Sequence, residues 1–466
     1  MNAELEKQVS GATVGEKISA SPEVRSLTNQ LVQSVYQLNS EIDGVRAPRS
    51  DRELSSQKLV EAIGKVRGRP LYFPFVGTGA GHRCFVELED GSVKLDLING
   101  IGIHLMGHGN PRVMAAAVRG ALSDVVNQGN LEPNKEYYDF LKKLTDRASR
   151  RSKLKYAWLS TCGTMANENA LKISRQKRTP ARMVLSFQNA FAGRSTLMAE
   201  LTDNPAYKQG LPEYHEMLRM PFYDAKDPRS AEVTLRKMQE HVERHRGNIS
   251  VFVFEPMLGE GGYIAPPREF FLPLLDFCRS QKIPVWMDEV QTFSRTGELF
   301  AFETLGLEEY VDLCSIAKTA QVGATLYTEE MNPAPGLIAG TFSGASAALA
   351  AGSEILEMLD EGYFGREGKI QRIHQKFVDM LQRLNETTCR GLLKDAGGLG
   401  LMIAVTPYDG KKELVEPLVK RLFKKGLICY NCGKDPMRLR FLIPAVISDS
   451  DIELAGKILE AALLET

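Results

Sequence analysis

No uninterrupted apolar run in this chain approaches the roughly 18 residues that span a bilayer, so no membrane-crossing helix is expected. Excess charge is missing too. The 58 Lys and Arg balance the 58 Asp and Glu, and no basic tract interleaves with aromatics, which argues against a nucleic-acid partner. Cysteine is sparse: seven in 466 residues, an odd number without framework spacing. Free thiols in a reducing compartment follow. The stretch from Met1 to Lys17 is polar and of mixed charge, with no apolar signal-peptide core, so a cytoplasmic home is expected. Cys429 and Cys432 form a lone CxxC without a second ligand pair, and His241 and His245 stand four apart on a polar, helical stretch. Neither implies a metal. Gly77, Gly79 and Gly81 mimic part of a dinucleotide fingerprint, but a strand rather than a helix follows them; a Rossmann turn is excluded. Internal repeats are also lacking.

What is present is a regular alternation. Beyond Pro111, helical patterns separate short apolar runs at Tyr156–Leu159, Met183–Phe187, Ile249–Phe254, Ile283–Met287 and Leu313–Ala317. This predicts an α/β fold, a mostly parallel sheet flanked by helices, with a smaller α+β domain attached. Ahead of it, Val24, Leu27, Leu31, Val35 and Leu38 recur at helical spacing and predict one amphipathic helix in an N-terminal arm. Cys84–Leu88 and Val93–Leu97 flank Glu89-Asp90-Gly91-Ser92 and predict a hairpin. After Ala347 a long helix should leave the sheet, and the tail mixes helices with strands at Leu399–Val405 and Arg438–Leu442. At 466 residues the chain exceeds one ordinary core. The expected division is an arm at 1–60, a large domain at 111–346, and a small domain assembled from 61–110 and 347–466.

In parallel sheets, ligands sit beyond the carboxyl ends of the strands, and the chemically interesting residues cluster there. Asp288-Glu289-Val290-Gln291-Thr292 follows one apolar run and Lys318 follows another. A lysine amine can hold pyridoxal phosphate as a Schiff base, while a carboxylate at the ring nitrogen keeps that nitrogen protonated. A charge pair at about 4 Å in an effective dielectric of 20 contributes roughly 4 kcal/mol, or about three pKa units. The plainer reading makes Asp288 a helix cap and Lys318 a surface lysine. A charged amine leaving a buried strand argues against it. Cys162-Gly163-Thr164 lies between a strand and a helix and offers free amides for a phosphate, or only a turn. Phe191 and Arg194 offer a stacking ring and a carboxylate grip, or a core phenylalanine and a solvated arginine.

Taken together, Asp288-Glu289-Val290-Gln291-Thr292 thirty residues before Lys318, Glu255-Pro256 with Gly259-Glu260-Gly261-Gly262, and Arg440 ahead of Ile443-Pro444 resemble the class III pyridoxal phosphate aminotransferases. The similarity runs from about Gly68 to the C-terminus. It implies fold type I, a homodimer with shared sites, and pyridoxal 5'-phosphate. It further implies that Lys318 carries the cofactor and shuttles the proton, Asp288 pairs with the ring nitrogen and Gln291 contacts the ring hydroxyl. Glu255 belongs to the same cofactor set, Gly163 and Thr164 hold the phosphate with Thr341 of the neighbouring subunit, and Phe191 stacks on the ring. Arg194 resembles the arginine that takes a donor carboxylate; Arg440, shielded by Glu260, resembles a second carboxylate site, and Ile101 falls at the substrate mouth.

The resemblance departs from the family at the segment after the lysine, Thr319-Ala320-Gln321-Val322-Gly323, at Ala192, at Thr292-Phe293-Ser294-Arg295, one residue short, and at Ala345-Ser346. These changes fall around the substrate mouth or the subunit contact. The implied reaction moves a terminal amino group from a small-molecule donor of the acetylornithine, ornithine, lysine or 4-aminobutyrate type to 2-oxoglutarate. The alternatives are an aminomutase of the glutamate-1-semialdehyde type and a silent binding protein of the same fold.

Overall fold

The computed structural model describes residues 11–124 and 131–465, with the backbone of 126–127 between them. Three helices open the described chain, not the single one expected: Val14–Ala20, Pro22–Asn39 and Glu53–Arg67. Local chemistry sets their ends. Thr13 and Glu16 form a capping box, Ser21 caps the second helix with Pro22 in its first turn, and Gly68, at φ 74°, closes the third. On the Pro22–Asn39 helix the predicted stripe faces outward. Leu27, Leu31 and Leu38 are 58%, 56% and 67% exposed, while Thr28, Val32 and Asn39 are buried. The spacing marks the helix correctly, but this chain covers a different face of it, against the helix Pro111–Ala121.

The hairpin forms as expected. β1 (Gly77–His82), β2 (Phe85–Leu88) and β3 (Val93–Asp96) are antiparallel, and Gly91, at φ 76°, supplies the left-handed turn residue between β2 and β3. A strand from the tail, Leu427–Ile428, pairs parallel with β3, so the beginning and end of the chain share one sheet.

After the two-residue β4 (Val126–Asn127), a seven-stranded sheet is built from β5 (Tyr156–Ser160), β6 (Met183–Phe187), β7 (Met217–Met220), β8 (Ile249–Phe254), β9 (Val285–Asp288), β10 (Leu313–Ile316) and β11 (Gly323–Tyr327). Its order is β5-β11-β10-β9-β8-β6-β7. Every pairing is parallel except those of β11, which runs antiparallel between β5 and β10. All five predicted runs are strands of this sheet; β7 and β11 complete it. The residues of β8, β9, β10 and β11 are buried throughout, as expected of strands covered on both faces.

Past β12 (Gly344–Ala345), which pairs with β4, come the helices Ser346–Leu359 and Lys369–Glu386. The predicted tail strand Leu399–Val405 is instead the middle of a hairpin, β13 (Leu393–Leu399) and β14 (Met402–Pro407). Gly400 causes the break: it sits at φ 57°, and an added Cβ there would lie 2.1 Å from the Arg295 carbonyl oxygen. β15 (Leu427–Ile428), β16 (Tyr430–Cys432) and β17 (Arg438–Leu442) follow, and the last sheet has the order β13-β14-β17-β16. One apolar core joins Val93, Leu95, Phe377, Leu381, Phe441 and Leu459; another joins Leu185, Phe252, Met287, Ile316 and Leu326 beneath the large sheet.

Candidate active site

Because β5, β6, β8, β9 and β10 run in one direction, their carboxyl ends meet along one edge of the sheet. There a cavity of about 340 Å³ opens, and Lys318, Asp288, Gln291, Glu255, Phe191, Gly163 and Thr164 line it. These residues are spread over positions 163–318 of the sequence, and the parallel register gathers them. β9 and β10 align Asp288 with Ser315, so the acid and the segment leading to Lys318 are neighbours by backbone pairing. Trp286 Nε1 donates to Ser315 Oγ at 2.8 Å and locks the two strands.

Asp288 is buried and accepts from the Val290 amide at 3.0 Å and from Asn167 Nδ2 at 2.7 Å. Asn167 also donates to the Ala192 carbonyl at 2.8 Å, and its own Oδ1 has no hydrogen-bond partner among the described residues. Burial raises the Asp288 carboxyl above its usual range, opposed by these hydrogen bonds and by Lys318. A cationic ring nitrogen at this carboxylate would restore the ionised form. Lys318 sits in the left-handed region at φ 55°. Burial lowers its amine first and the charge of Arg295 second, against the pull of Asp288. Glu255 accepts from the Phe191 and Gly259 amides, both at 3.0 Å, and burial, with Asp288 beside it, pushes its carboxyl up to about 8.

The helix Gly163–Lys177 points its start at the cavity, and Cys162 gives it no side-chain cap. Its first amides are therefore available to an anion. Gly163 is required where it stands, since an added Cβ would lie 2.7 Å from Val290 Cγ1. Val290 and Phe191 both line the cavity and offer it apolar surface. A buried lysine, a buried carboxylate, an unpartnered amide oxygen and an uncapped helix start match an aldehyde, a ring nitrogen and a phosphate on one cofactor. The residues fit pyridoxal 5'-phosphate.

Arg440, on β17, is buried and donates to Glu260 Oε1 at 2.5 Å; Gln291 Nε2 lies 3.4 Å from the same oxygen. Tyr263 donates its hydroxyl to Gln291 Oε1 at 3.4 Å. The small sheet is thus wired to the cavity through Glu260 and Gln291.

Five predicted residues do not line the cavity: Arg440 and Glu260 reach it only through Gln291, and three others stand apart from it. Arg194 is exposed, its guanidinium carbon 4.0 Å from the centre of the Tyr207 ring. Tyr207 lines a smaller adjoining chamber together with Phe191 and Glu260. Stacking on that ring, which sequence reading did not single out, turns the guanidinium away. Ile101 is 38% exposed with φ 59°; the neighbouring Ile103 lines the cavity in its place. Thr341 is exposed and does not line the cavity of its own chain. Sequence reading also missed Asn167, Tyr263 and Gln321 as site residues. Asn167 alone had a signal, four positions beyond Gly163 and so on the same helix face.

A lysine and a carboxylate gathered with a phosphate-ready helix at the edge of a parallel sheet define the class of fold-type I pyridoxal phosphate-dependent transferases. Comparison with known proteins narrows this. The family model for aminotransferase class-III matches residues 70–463, and the chain belongs to that family. It is a transaminase and uses pyridoxal 5'-phosphate. Among curated relatives, the 4-aminobutyrate aminotransferase of Mycobacterium leprae is 32% identical, over 80% of this chain and 87% of that protein. The 2-aminoadipate transaminase of Pseudomonas putida is 30% identical, over 83% of this chain and 95% of its own. Among solved structures, a Bacillus anthracis aminotransferase matches with a TM-score of 0.78 at 20% identity, covering 89% of this chain and 99% of that one. The lysine aminotransferase of M. tuberculosis matches with a TM-score of 0.75 at 21% identity, covering 87% and 99%. Among the described residues no helix is long and apolar enough to cross a membrane.

Proposed function

We propose that this aminotransferase moves the terminal amino group of an ω-amino or basic amino acid, of the acetylornithine, ornithine, lysine or 4-aminobutyrate type, to 2-oxoglutarate, giving an aldehyde and glutamate. The observation that carries the proposal is the pairing of buried Arg440 with half-buried Glu260, joined through Gln291 to the cavity of Lys318. A donor that meets the site with an uncharged end leaves Glu260 on Arg440. A dicarboxylate acceptor displaces Glu260 and claims the guanidinium. One pocket then serves both halves of the exchange. The relatives named for 4-aminobutyrate and acetylornithine support the donor class.

When bound, pyridoxal phosphate supplies an aldehyde for the amine and a protonated ring that accepts the electrons freed at the donor carbon. Lys318 would hold that aldehyde, and its free amine would take and return the proton at the donor carbon. Asp288, oriented by Asn167 and the Val290 amide, keeps the ring nitrogen protonated. Gln291 meets the ring hydroxyl, Glu255 braces the Phe191 segment, and Phe191 and Val290 hold the ring. The helix start at Gly163 and Thr164 takes the phosphate. Arg194, beside the chamber lined by Tyr207, serves a donor carboxylate at the mouth, with Ile101 on the adjoining strap. We assign Thr341 to the partner's phosphate site in a homodimer. We divide the chain into an arm at 1–60, a large domain at 111–346, and a small domain of 61–110 with 347–466; the two largest apolar cores, one drawn mostly from 84–106 and 355–463 and the other mostly from 140–326, support that division.

A panel of amino donors assayed with 2-oxoglutarate for glutamate formation tests the reaction. The proposal expects glutamate from at least one ω-amino or basic donor. An amino group returned to another carbon of the same skeleton, with no 2-oxoglutarate consumed, would make the protein an aminomutase. Bound cofactor without turnover would make it a binding protein.

A further inference from the structure

One buried cation close to the cavity plays no part in the mechanism above. Arg295 is 2% exposed, and among the described residues no carboxylate lies within ion-pair distance of it. Its neighbours are oxygens without charge. Nη1 donates to the Gln291 carbonyl at 2.6 Å; Nη2 donates to the Gly102 carbonyl at 2.5 Å and to Thr319 Oγ1. Thr319 in turn donates to the same Gly102 carbonyl at 3.2 Å. These bonds occupy three of the guanidinium's five N–H donors and leave its charge uncompensated, a costly arrangement that a chain keeps for a reason.

The geometry shows what the charge is beside. Gln291 ends the Asp288 turn, Thr319 directly follows Lys318, and Gly102 belongs to the strap that carries Ile101 and Ile103. The strap is held against the guanidinium so closely that a Cβ at Gly102, already at φ 82°, would lie 2.4 Å from Arg295 Nη1. Gln321 adds a second fastening, its Nε2 donating to the Ile103 carbonyl at 3.2 Å. Arg295 therefore bolts three segments of the cavity wall together directly behind the lysine.

We propose that Arg295 is a positioning residue for Lys318: its hydrogen bonds fix the lysine turn beneath the 99–103 strap and set an unpaired cation beside the amine. The charged groups acting on Lys318 are Arg295, Asp288, Glu260 and Glu255; Tyr263 acts on Arg295. Burial and Arg295 oppose the ammonium, and the three carboxyls favour it. Removing Arg295 tips that balance toward the ammonium. The inference rests on Lys318 being the cofactor lysine, which peptide mapping of the reduced enzyme tests separately.

The experiment uses the full chain, freed of cofactor by dialysis against an amine, and reads the amine itself. Acetylation of Lys318 by acetic anhydride is followed by peptide mass spectrometry across pH. In the unaltered protein the midpoint should fall at least one unit below the ordinary lysine value of about 10.4. Arg295→Gln should raise it by about one unit, a roughly tenfold drop in labelling rate at pH values below the midpoint. Arg295→Lys should keep the low midpoint while lowering kcat, because the charge remains and the fork does not. Thr319→Val, which retains the cation, should likewise leave the midpoint in place. An ordinary lysine midpoint in the unaltered protein overturns the inference even if Arg295→Gln fails to fold. So does Arg295→Gln with an unchanged midpoint, or Arg295→Lys shifting it as far as Arg295→Gln does. Lys318 failing to carry cofactor in the mapping experiment defeats the assignment of the lysine instead.

Discussion

Glu255 and Arg440 show how burial sets the chemistry of single side chains in this aminotransferase. With Glu255 pushed up to about 8, its folded value lies above the unfolded one. Its contribution to stability is then fully present below about pH 4 and is lost as pH rises through about 8. The cofactor-free chain should therefore lose roughly 3–5 kcal/mol through this one group between pH 4 and pH 9, and Glu255→Gln should remove that slope. Melting temperatures of both proteins at pH 5 and pH 8 check it: the gap in favour of the variant should widen by several degrees at the higher pH. For Arg440, the Glu260 carboxylate holds the guanidinium firmly charged against its burial. A charge-assisted hydrogen bond is worth about 1.5–3 kcal/mol, so Arg440→Gln should raise the KM for 2-oxoglutarate roughly ten- to a hundredfold. Unchanged saturation by 2-oxoglutarate would remove the argument for the exchange of partners at Glu260.

At the scale of elements, the site exists because parallel strands end together. Gly163 is where this is tightest: its missing side chain lets Val290, at the exit of β9, and Ala317, at the exit of β10, close on the start of the helix Gly163–Lys177. Gly163→Ala should cost about 1–3 kcal/mol by overpacking and weaken cofactor retention, measurable by equilibrium dialysis. The parallel strands were legible in the sequence since each is an apolar run bounded by turns. β7 was not, because Arg219 breaks what would be a continuous apolar run, nor was β11, which opens on Gly323 and reads as loop. The same limit applies to the site. Asp288, Lys318 and Gly163 could be placed because a strand exit fixes where a residue lies. The direction of Arg194 could not, since it depends on Tyr207, thirteen positions away and on a separate turn. Arg295 stood in the sequence only as part of a shortened loop; that it is buried without a carboxylate is a fact of packing.

For the whole molecule, the exposed leucines of the Pro22–Asn39 helix mark an unfinished surface. Leu27, Leu31 and Leu38 are each more than half exposed, and Tyr72 and Phe342 add to the apolar area open to solvent. Patches of this kind mark contact sites, and the occupant we propose is a second copy of the chain, which would also carry Thr341 to the partner's phosphate site. The protein should sediment at twice its 51.7 kDa chain mass. Leu27→Glu combined with Leu31→Glu should shift it toward the monomer and lower activity with it. A monomer with full activity would separate the helix from the site.

The central claim is that Lys318, set opposite Asp288 across one cavity, carries the cofactor. Borohydride reduction of the purified enzyme, followed by peptide mass mapping, tests it most directly. The account predicts one pyridoxyl phosphate group per chain, on Lys318, and none in Asp288-intact protein carrying Lys318→Ala. Cofactor fixed to a different lysine, or a reduced protein with Lys318 unmodified, would contradict it.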